Sequence, residues 1–399
     1  MLLAHKLELK PNNKQTTYFK KACGVARFSY NWALANWKEQ YKNGEKPTEI
    51  SLRKLLNSRK AEEFPWMQKV TKNAPQQAIK NLGAAFNRFF KGKAKYPKFK
   101  KKGKVRDSFR ADNGPVQKGS DAVRIIGKKI QIPCLGWVKM TENLRFRGQI
   151  KSLTISRVAD KWFATIAVEM ESIAYCRKNH ASVGIDLGIK ALATLSDGTV
   201  ITGAKSHTLL LKRLKRQSRK LSAKKKQSMN AFRHAQKLAK THAQIANIRR
   251  DYLHKATTDI VLNNSKIGIE NLNVKGMSAN RKLARHILDQ SFYEFRRQLE
   301  YKSVLYGSQI FVADRFFPSS KLCHSCGCVY ADLKLSERAW ICIHCNETHD
   351  RDLNAALNLQ RLCTPSSGGT QACGVESSDS FVHKMSETVR DEAGIQRHV

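Results

Sequence analysis

Apolar and polar residues alternate through Leu2 to Lys10, which predicts a strand at the start of the chain. Asn12 and Asn13 then stand before a helical stretch, with Phe19, Cys23, Ala26 and Tyr30 spaced by threes and fours. Trp32 and Trp37 follow in register and are expected to bury, and the cluster from Lys42 to Pro47 breaks the pattern. Two further helices are predicted, at Leu52 to Lys60 and Pro75 to Phe90; the second carries Ile79, Leu82, Ala85, Phe86 and Phe89 on one face. Aromatics at that spacing read as packing. Strand-like runs come next, at Ala122 to Ile132, Ile150 to Val158 and, after a turn at Ala159–Asp160, Lys161 to Glu169. Val105 to Glu171 is therefore expected to form a small β-rich module. A composition break at Cys176 to His180 precedes a short apolar strand, Ser182 to Ile185, and a hairpin, Ala191 to Leu195 and Thr199 to Thr202, turning at Asp197–Gly198. From Ser206 to Asn263 the pattern is helical, with Ile245, Ile248, Tyr252, Ala256 and Ile260 as an apolar stripe, and a helical hairpin is predicted. Beyond Leu362 periodicity is lost, and the tail is expected to be disordered.

Composition changes the picture through charge. The 399 residues hold 73 Lys and Arg against 32 Asp and Glu, a formal net charge of +41. Such an excess repels itself across every face unless a polyanion neutralises it. Nucleic acid is the expected partner, because each Lys or Arg contact to phosphate releases condensed counterions. The cations concentrate in two places. Lys91 to Arg110 threads Tyr96, Phe99 and Phe109 among cations that can grip phosphates while the rings stack on bases or pack locally; a solvated loop is the alternative expectation. The predicted hairpin carries Lys212, Arg213, Lys215, Arg216, Arg219, Lys220, Lys224, Lys225 and Lys226. No run approaches a membrane span, and Met1 to Pro11 lacks the apolar core of a signal peptide. The expected setting is the prokaryotic cytoplasm.

Four of the 10 cysteines form two Cys-x-x-Cys pairs, Cys323-His-Ser-Cys326 and Cys342-Ile-His-Cys345. Each pair turns two thiolates toward one point, and two pairs complete a tetrahedron around Zn²⁺. A closed four-sulfur site has no open position, so this zinc is expected to be structural. Cys328, His324 and His344 break the symmetrical pattern and are set aside.

Acids are scarce, yet three stand at the ends of predicted elements. Asp186 ends the strand in Val183-Gly-Ile-Asp186-Leu-Gly188, Glu270 ends Lys266-Ile-Gly-Ile-Glu270, and Asp352 opens a helix within His349-Asp350-Arg-Asp352-Leu-Asn354-Ala-Ala356. Singly, each has an ordinary use: Asp352 at a helix N-terminus interacting with the dipole, Asp186 in a turn. Jointly, converging carboxylates can hold two Mg²⁺ ions, one activating water and the other stabilising the leaving oxygen.

These motifs resemble those of the TnpB family, transposon-encoded RNA-guided nucleases related to type V CRISPR effectors. Phe28-Ser-Tyr-Asn-Trp32 and Tyr96-Pro-Lys-Phe99 extend the resemblance more weakly to the N-terminal half, so that it covers about residues 1–360. It implies an α/β multidomain chain: a RuvC-like nuclease of RNase H fold at 176–320 and 348–362, with a helical insertion at about 206–263. A zinc ribbon is expected at 321–347, a β-barrel wedge domain at 1–10 and 96–175, and a helical recognition domain at 11–95, with the tail at 363–399 outside the family pattern. By position, the catalytic, magnesium-binding acids carry over to Asp186, Glu270 and Asp352, the Asp-x-Asn-x-Ala pattern preferring Asp352 to Asp350. The zinc ligands carry over to Cys323, Cys326, Cys342 and Cys345. The implied activity is cleavage of double-stranded target DNA, directed by a guide RNA from the transposon end and a short flanking motif. A non-catalytic RNA-guided DNA-binding regulator and a transposase are the rival expectations; oligomeric state stays open.

Overall fold

In the computed structural model, which describes residues 2–113, 122–170, 181–334 and 336–364, the N-terminal alternation becomes strand β1 (Leu2–Lys10), its even positions half-exposed and its odd positions buried. Asn12 then caps helix α1 (Asn13–Lys42): its side chain accepts from the Gln15 N–H and Gln15 reciprocates, a capping box. Helix α2 (Glu49–Arg59), a 3₁₀ turn at Pro65–Lys69 and helix α3 (Asn73–Phe90) follow. Trp37 stacks on Phe86 at 4.1 Å and fixes α1 against α3, while Trp32 is only half-buried.

Beyond α3 come β2 (Ser108–Asp112), β3 (Arg124–Ile126), β4 (Lys129–Ile132), β5 (Gly136–Met140), β6 (Gln149–Val158) and β7 (Lys161–Glu169). They join β1 in an antiparallel seven-stranded sheet of order β2-β6-β7-β1-β5-β4-β3. The expected single run from Ala122 to Ile132 is a hairpin instead, because Gly127 turns the chain at φ +53°. Asn113 ties the ends of the sheet: its amide donates to the Val123 carbonyl and accepts from the Val123 N–H. One core, with Leu7, Phe19, Leu34, Phe86, Ile130 and Ile166 in it, serves both sheet and helices.

Of the aromatics in the basic stretch, Phe109 is buried in that core and Tyr96 packs edge-on against Phe86 and Phe89. Lys38 lies over both Tyr96 and Phe99, and the Asn31 amide brackets the Lys100 backbone. Local packing thus takes up Phe109, whereas Tyr96 and Phe99 keep an exposed face, 41% and 46% accessible. Lys100 sits 3.9 Å over the Tyr30 ring, and burial lowers its ammonium to about 8.

A second compact unit holds β8 (Ser182–Leu187), β9 (Ala193–Leu195), β10 (Val200–Ile201), α4 (Ser206–Ser222), α5 (Met229–Asn263) and β11 (Lys266–Ile269). It continues with α6 (Val274–Met277), α7 (Ala284–Gln290), α8 (Phe292–Tyr306), β12 (Gln309–Val312), β13 (Ala339–Ile341), β14 (Thr348–Asp350) and α9 (Arg351–Arg361). Its sheet has the order β10-β9-β8-β11-β12, with β8, β11 and β12 parallel and the other two antiparallel. Helices α4 and α5 form the expected hairpin, registered by a polar contact between Thr241 and Gln217.

The stripe on α5 departs from expectation. Thr241, Ile245, Leu253, Thr257, Ile260 and Val261 are buried, whereas Ile248, Tyr252 and Ala256 are only partly so. Helix α8 brings Gln298 and Lys302 against α5, where Thr257 bonds both, so the inner face is partly polar and hydrophobic periodicity misplaces it. No helix among the described residues is long and apolar enough to cross a membrane. The composition break at 176–180 and the tail from 365 onward lie outside the described residues.

Candidate active site and metal centre

Two strands of the second unit carry the same tripeptide logic, Gly184-Ile-Asp186 and Gly268-Ile-Glu270. Alternate residues of a strand face opposite sides. Val183, Ile185, Ile267 and Ile269 enter the core shared with α5 and α8. Gly184 and Gly268, paired in register, face the other way, toward α9. A Cβ at Gly184 would overlap the Ala356 carbonyl, and one at Gly268 the Leu359 carbonyl. The missing side chains let the helix backbone lie directly on the sheet.

Two residues further along each strand, on that same face, stand Asp186 and Glu270. One turn before Ala356 on α9 stands Asp352. A helical turn of about 5.4 Å roughly matches two strand residues, so the glycine contact carries Asp352 to the level of the strand ends. The acids also meet the positive end of α9, which favours carboxylates.

The geometry is closest for the strand pair. Asp186 and Glu270 share a side-chain hydrogen bond, and Glu270 accepts from the Leu187 N–H at 2.9 Å. Desolvation, then the Glu270 charge, pushes the Asp186 carboxyl well above the ordinary carboxylate range; Asp352 adds to the rise and Arg351 opposes it. Such repulsion between neighbouring carboxylates is what a divalent cation relieves, so the chemistry of the pair suits a hard metal ion, although the three acids do not bring a ligand oxygen each within 4.8 Å of one another. Asp352 is near enough to act on Asp186, but its carboxylate is engaged by Arg338 at 3.1 Å. Asp350, the alternative acid, is committed to the helix: its side chain caps α9 by accepting from the N–H groups of Asp352 and Leu353.

The cysteines converge as their spacing implies. Cys323, Cys326, Cys342 and Cys345 place their sulfurs within 4.8 Å of one another, a set that can hold a zinc ion. N–H groups of Cys345 and His344 lower the Cys342 thiol, while at Cys345 the Glu347 N–H is outweighed by desolvation and the neighbouring sulfurs, which raise it, the crowding of thiolates that a shared cation relieves. His349, which the sequence did not single out, lies beside them, its Nε2 3.1 Å from the Cys323 sulfur and its ring against Trp340. Strand β14, ending at Asp350, pairs with β13 and leads straight into α9.

Two more residues have a role that sequence reasoning missed, Asn354 having entered only as part of a motif and Asn358 not at all. Asn354 accepts from the His324 N–H and donates to the Leu322 carbonyl, and Asn358 donates to the carbonyls of Leu322 and Ser319. Both are almost fully buried on α9. They clamp the first cysteine turn onto the helix that carries Asp352. An amide at i and i+4 of a helix beside a cysteine pair was the available signal.

A mixed α/β fold, carboxylates gathered at parallel strand ends and a four-thiolate module fastened to the adjacent helix define the class of this chain. Comparison with known proteins narrows it. Residues 165–281 match the OrfB/IS605 family, described as "Probable transposase", and residues 292–359 match the "Cas12f1-like, TNB domain". Residues 1–46 match a family described as "Helix-turn-helix domain", although here they form β1 and the single helix α1. A protein of Escherichia coli strain K12 named "Putative RNA-guided DNA endonuclease InsQ" is 35% identical over 90% of this chain and 91% of its own. A Streptomyces pristinaespiralis protein of similar name is 34% identical, covering 89% and 88%. A chain of the solved structure "Cryo-EM structure of the Cas12f1-sgRNA-target DNA complex" aligns at a TM-score of 0.57 and 14% identity, over 89% of this chain and 83% of that one, a likeness of fold. The chain belongs to the TnpB family.

Proposed function

We propose that the chain is an RNA-guided DNA endonuclease in which Asp186, Glu270 and Asp352 are the catalytic carboxylates. The observation that carries this reading is the repeated Gly-Ile-acid arrangement, which aims two carboxylates past a glycine-seated helix at a third. The strand order of the second unit supports reading it as an RuvC-like, RNase H-type core. The relatives' names and the charge of +41 support RNA and DNA as partners.

Each chain element has a part in the reaction. Asp186 and Glu270 provide oxygens on adjacent strand ends, and Asp352 closes the group from the helix side once Arg338 yields it. Bound magnesium would supply polarisation of the scissile phosphate and activation of water. The zinc module holds the start of α9 in place through Asn354 and Asn358. In the first unit, the seven-stranded sheet is assigned as the wedge domain and α1–α3 as the recognition helices. The guide is assigned to the transposon end, and base pairing supplies most of the specificity.

The test is purification with RNA transcribed beside the gene, then incubation in Mg²⁺ with plasmid matching that RNA next to a randomised flank. Cutting that needs the match, and that RNase treatment abolishes, is the expected result. Joining of DNA ends without RNA would replace the reading with a transposase; binding without cutting would replace it with a regulator.

A further inference from the structure

A cavity of about 380 Å³ opens beside Glu270. Its lining combines two chemistries that one ligand class unites. Leu187, Leu272 and Phe292 make it apolar, while four cations, Lys275, Arg296, Arg297 and Arg315, outnumber its two carboxylates, Glu270 and Glu300. Two of those cations are held in place. Arg296 donates to Glu300 at 2.8 Å and to the Asn271 side chain at 2.9 Å, and Arg297 forks onto Glu294 with two bonds of 2.9 Å. The other two are exposed, and among the described residues neither Lys275 nor Arg315 has a side-chain hydrogen bond or ion pair. Tyr293, another lining residue, is 66% exposed.

Unpaired cations around an apolar hollow suit a ligand with an anionic edge and a flat apolar face. A nucleotide has both: phosphate for the guanidinium and ammonium, base for the tyrosine ring and leucines. The volume lies near the lower end of the range for small-ligand sites, roughly 300–1,000 Å³, which admits one nucleotide and no base pair. A stacked, paired base cannot enter; an unpaired strand can turn one in. We propose that this cavity is a subsite for one unstacked nucleotide of a single strand adjoining the bond cut at Asp186 and Glu270, its phosphate on Arg315 and Lys275 and its base on Tyr293. The role in cutting rests on the nuclease reading above, and the binding does not.

The probe is a short single strand of DNA carrying one 5-iododeoxyuridine, which cross-links to neighbouring aromatic rings on irradiation. It is mixed with the full-length protein in Ca²⁺ in place of Mg²⁺, irradiated, and the adduct mapped. The expected adduct lies on Tyr293. Its yield should fall about tenfold in Arg315→Ala, the usual weight of a charge-assisted phosphate contact, and recover in Arg315→Lys; the same sequence as a duplex should give little of it. Arg315 is exposed, so neither variant threatens folding. An adduct elsewhere, a yield indifferent to Arg315, or equal yield from duplex overturns the subsite. Guided cutting measured on the same preparation separates the two ideas. Cutting without a Tyr293 adduct removes the subsite and leaves the nuclease, whereas an adduct without cutting removes the nuclease and leaves the subsite.

Discussion

Gly184→Ala is the smallest change that should disable the candidate site from behind. The added Cβ would meet the Ala356 carbonyl and the Gln360 N–H, both backbone atoms of α9 that cannot rotate away. The helix has to lift off the sheet, taking Asp352 with it. Overpacking a tight contact costs typically 1–3 kcal/mol, and backbone on both sides puts this one at about 3 kcal/mol. For a unit of this size that lowers the melting temperature by roughly 6–12 °C. Cutting, measured well below melting, should fall further, by about a hundredfold, because a displacement of about 1 Å at a reacting group has that effect. Gly268→Ala should act the same way through Leu359, and the double variant should cost less than the sum, since one displacement of α9 relieves both overlaps. Gly24→Ala supplies the opposite sign. It lies inside α1 with nothing near its added Cβ, so it should stabilise the first unit by about 0.5–1 kcal/mol. Calorimetry of the intact chain reads both. A Gly184→Ala protein that melts and cuts like wild type would refute the seating of α9 on the sheet.

Three other outcomes are expected. The Asp186 carboxyl is raised above its unfolded value, so its proton stabilises the fold fully below the ordinary carboxylate range, and that contribution is lost as pH rises through the raised value. In magnesium-free buffer, Glu270→Gln should therefore gain stability over wild type near neutral pH and lose the advantage in acid; a gap independent of pH would contradict it. Asn354→Ala should surrender zinc to a competing chelator about tenfold more readily, as loss of a supporting contact around a metal usually does, and unchanged retention would deny the clamp. Lys302 is buried on Thr257, Thr258 and the His254 carbonyl and lowered to about 8, so wild type should gain stability from about pH 8 to 10.5. Lys302→Met should lack that gain when melting is followed against pH.

Local order was the legible part of this chain. The β1 alternation, the α1 spacing, the break after Lys42 and the basic hairpin each follow from periods of 2 or 3.6 in neighbouring residues. The cysteine turns were legible because their ligand spacing is itself local. What stayed hidden is contact between distant segments. Nothing near Leu2 says that β1 lies between β7 and β5. Strand β5 is short and half-exposed, with only Val138 and Met140 buried, too brief a pattern to register. The polar layer of Thr257, Gln298 and Lys302 defeats any reading that equates buried with apolar. At the candidate site the acids were visible as strand-end and helix-start residues, but the reason for the glycines two positions earlier was not. Gly184 and Gly268 look like ordinary strand interruptions until α9 is laid across them.

The most direct test of the account compares four single substitutions in guide-loaded protein, Asp186→Ala, Glu270→Ala, Asp352→Ala and Asp350→Ala, by cleavage of the matched plasmid in Mg²⁺. The first three should retain RNA and lose cutting, while Asp350→Ala, having lost only a helix cap worth about 1 kcal/mol, should still cut. An Asp186→Ala protein that cuts at the wild-type rate would contradict the carboxylate site. So would an inert Asp350→Ala protein beside an active Asp352→Ala one.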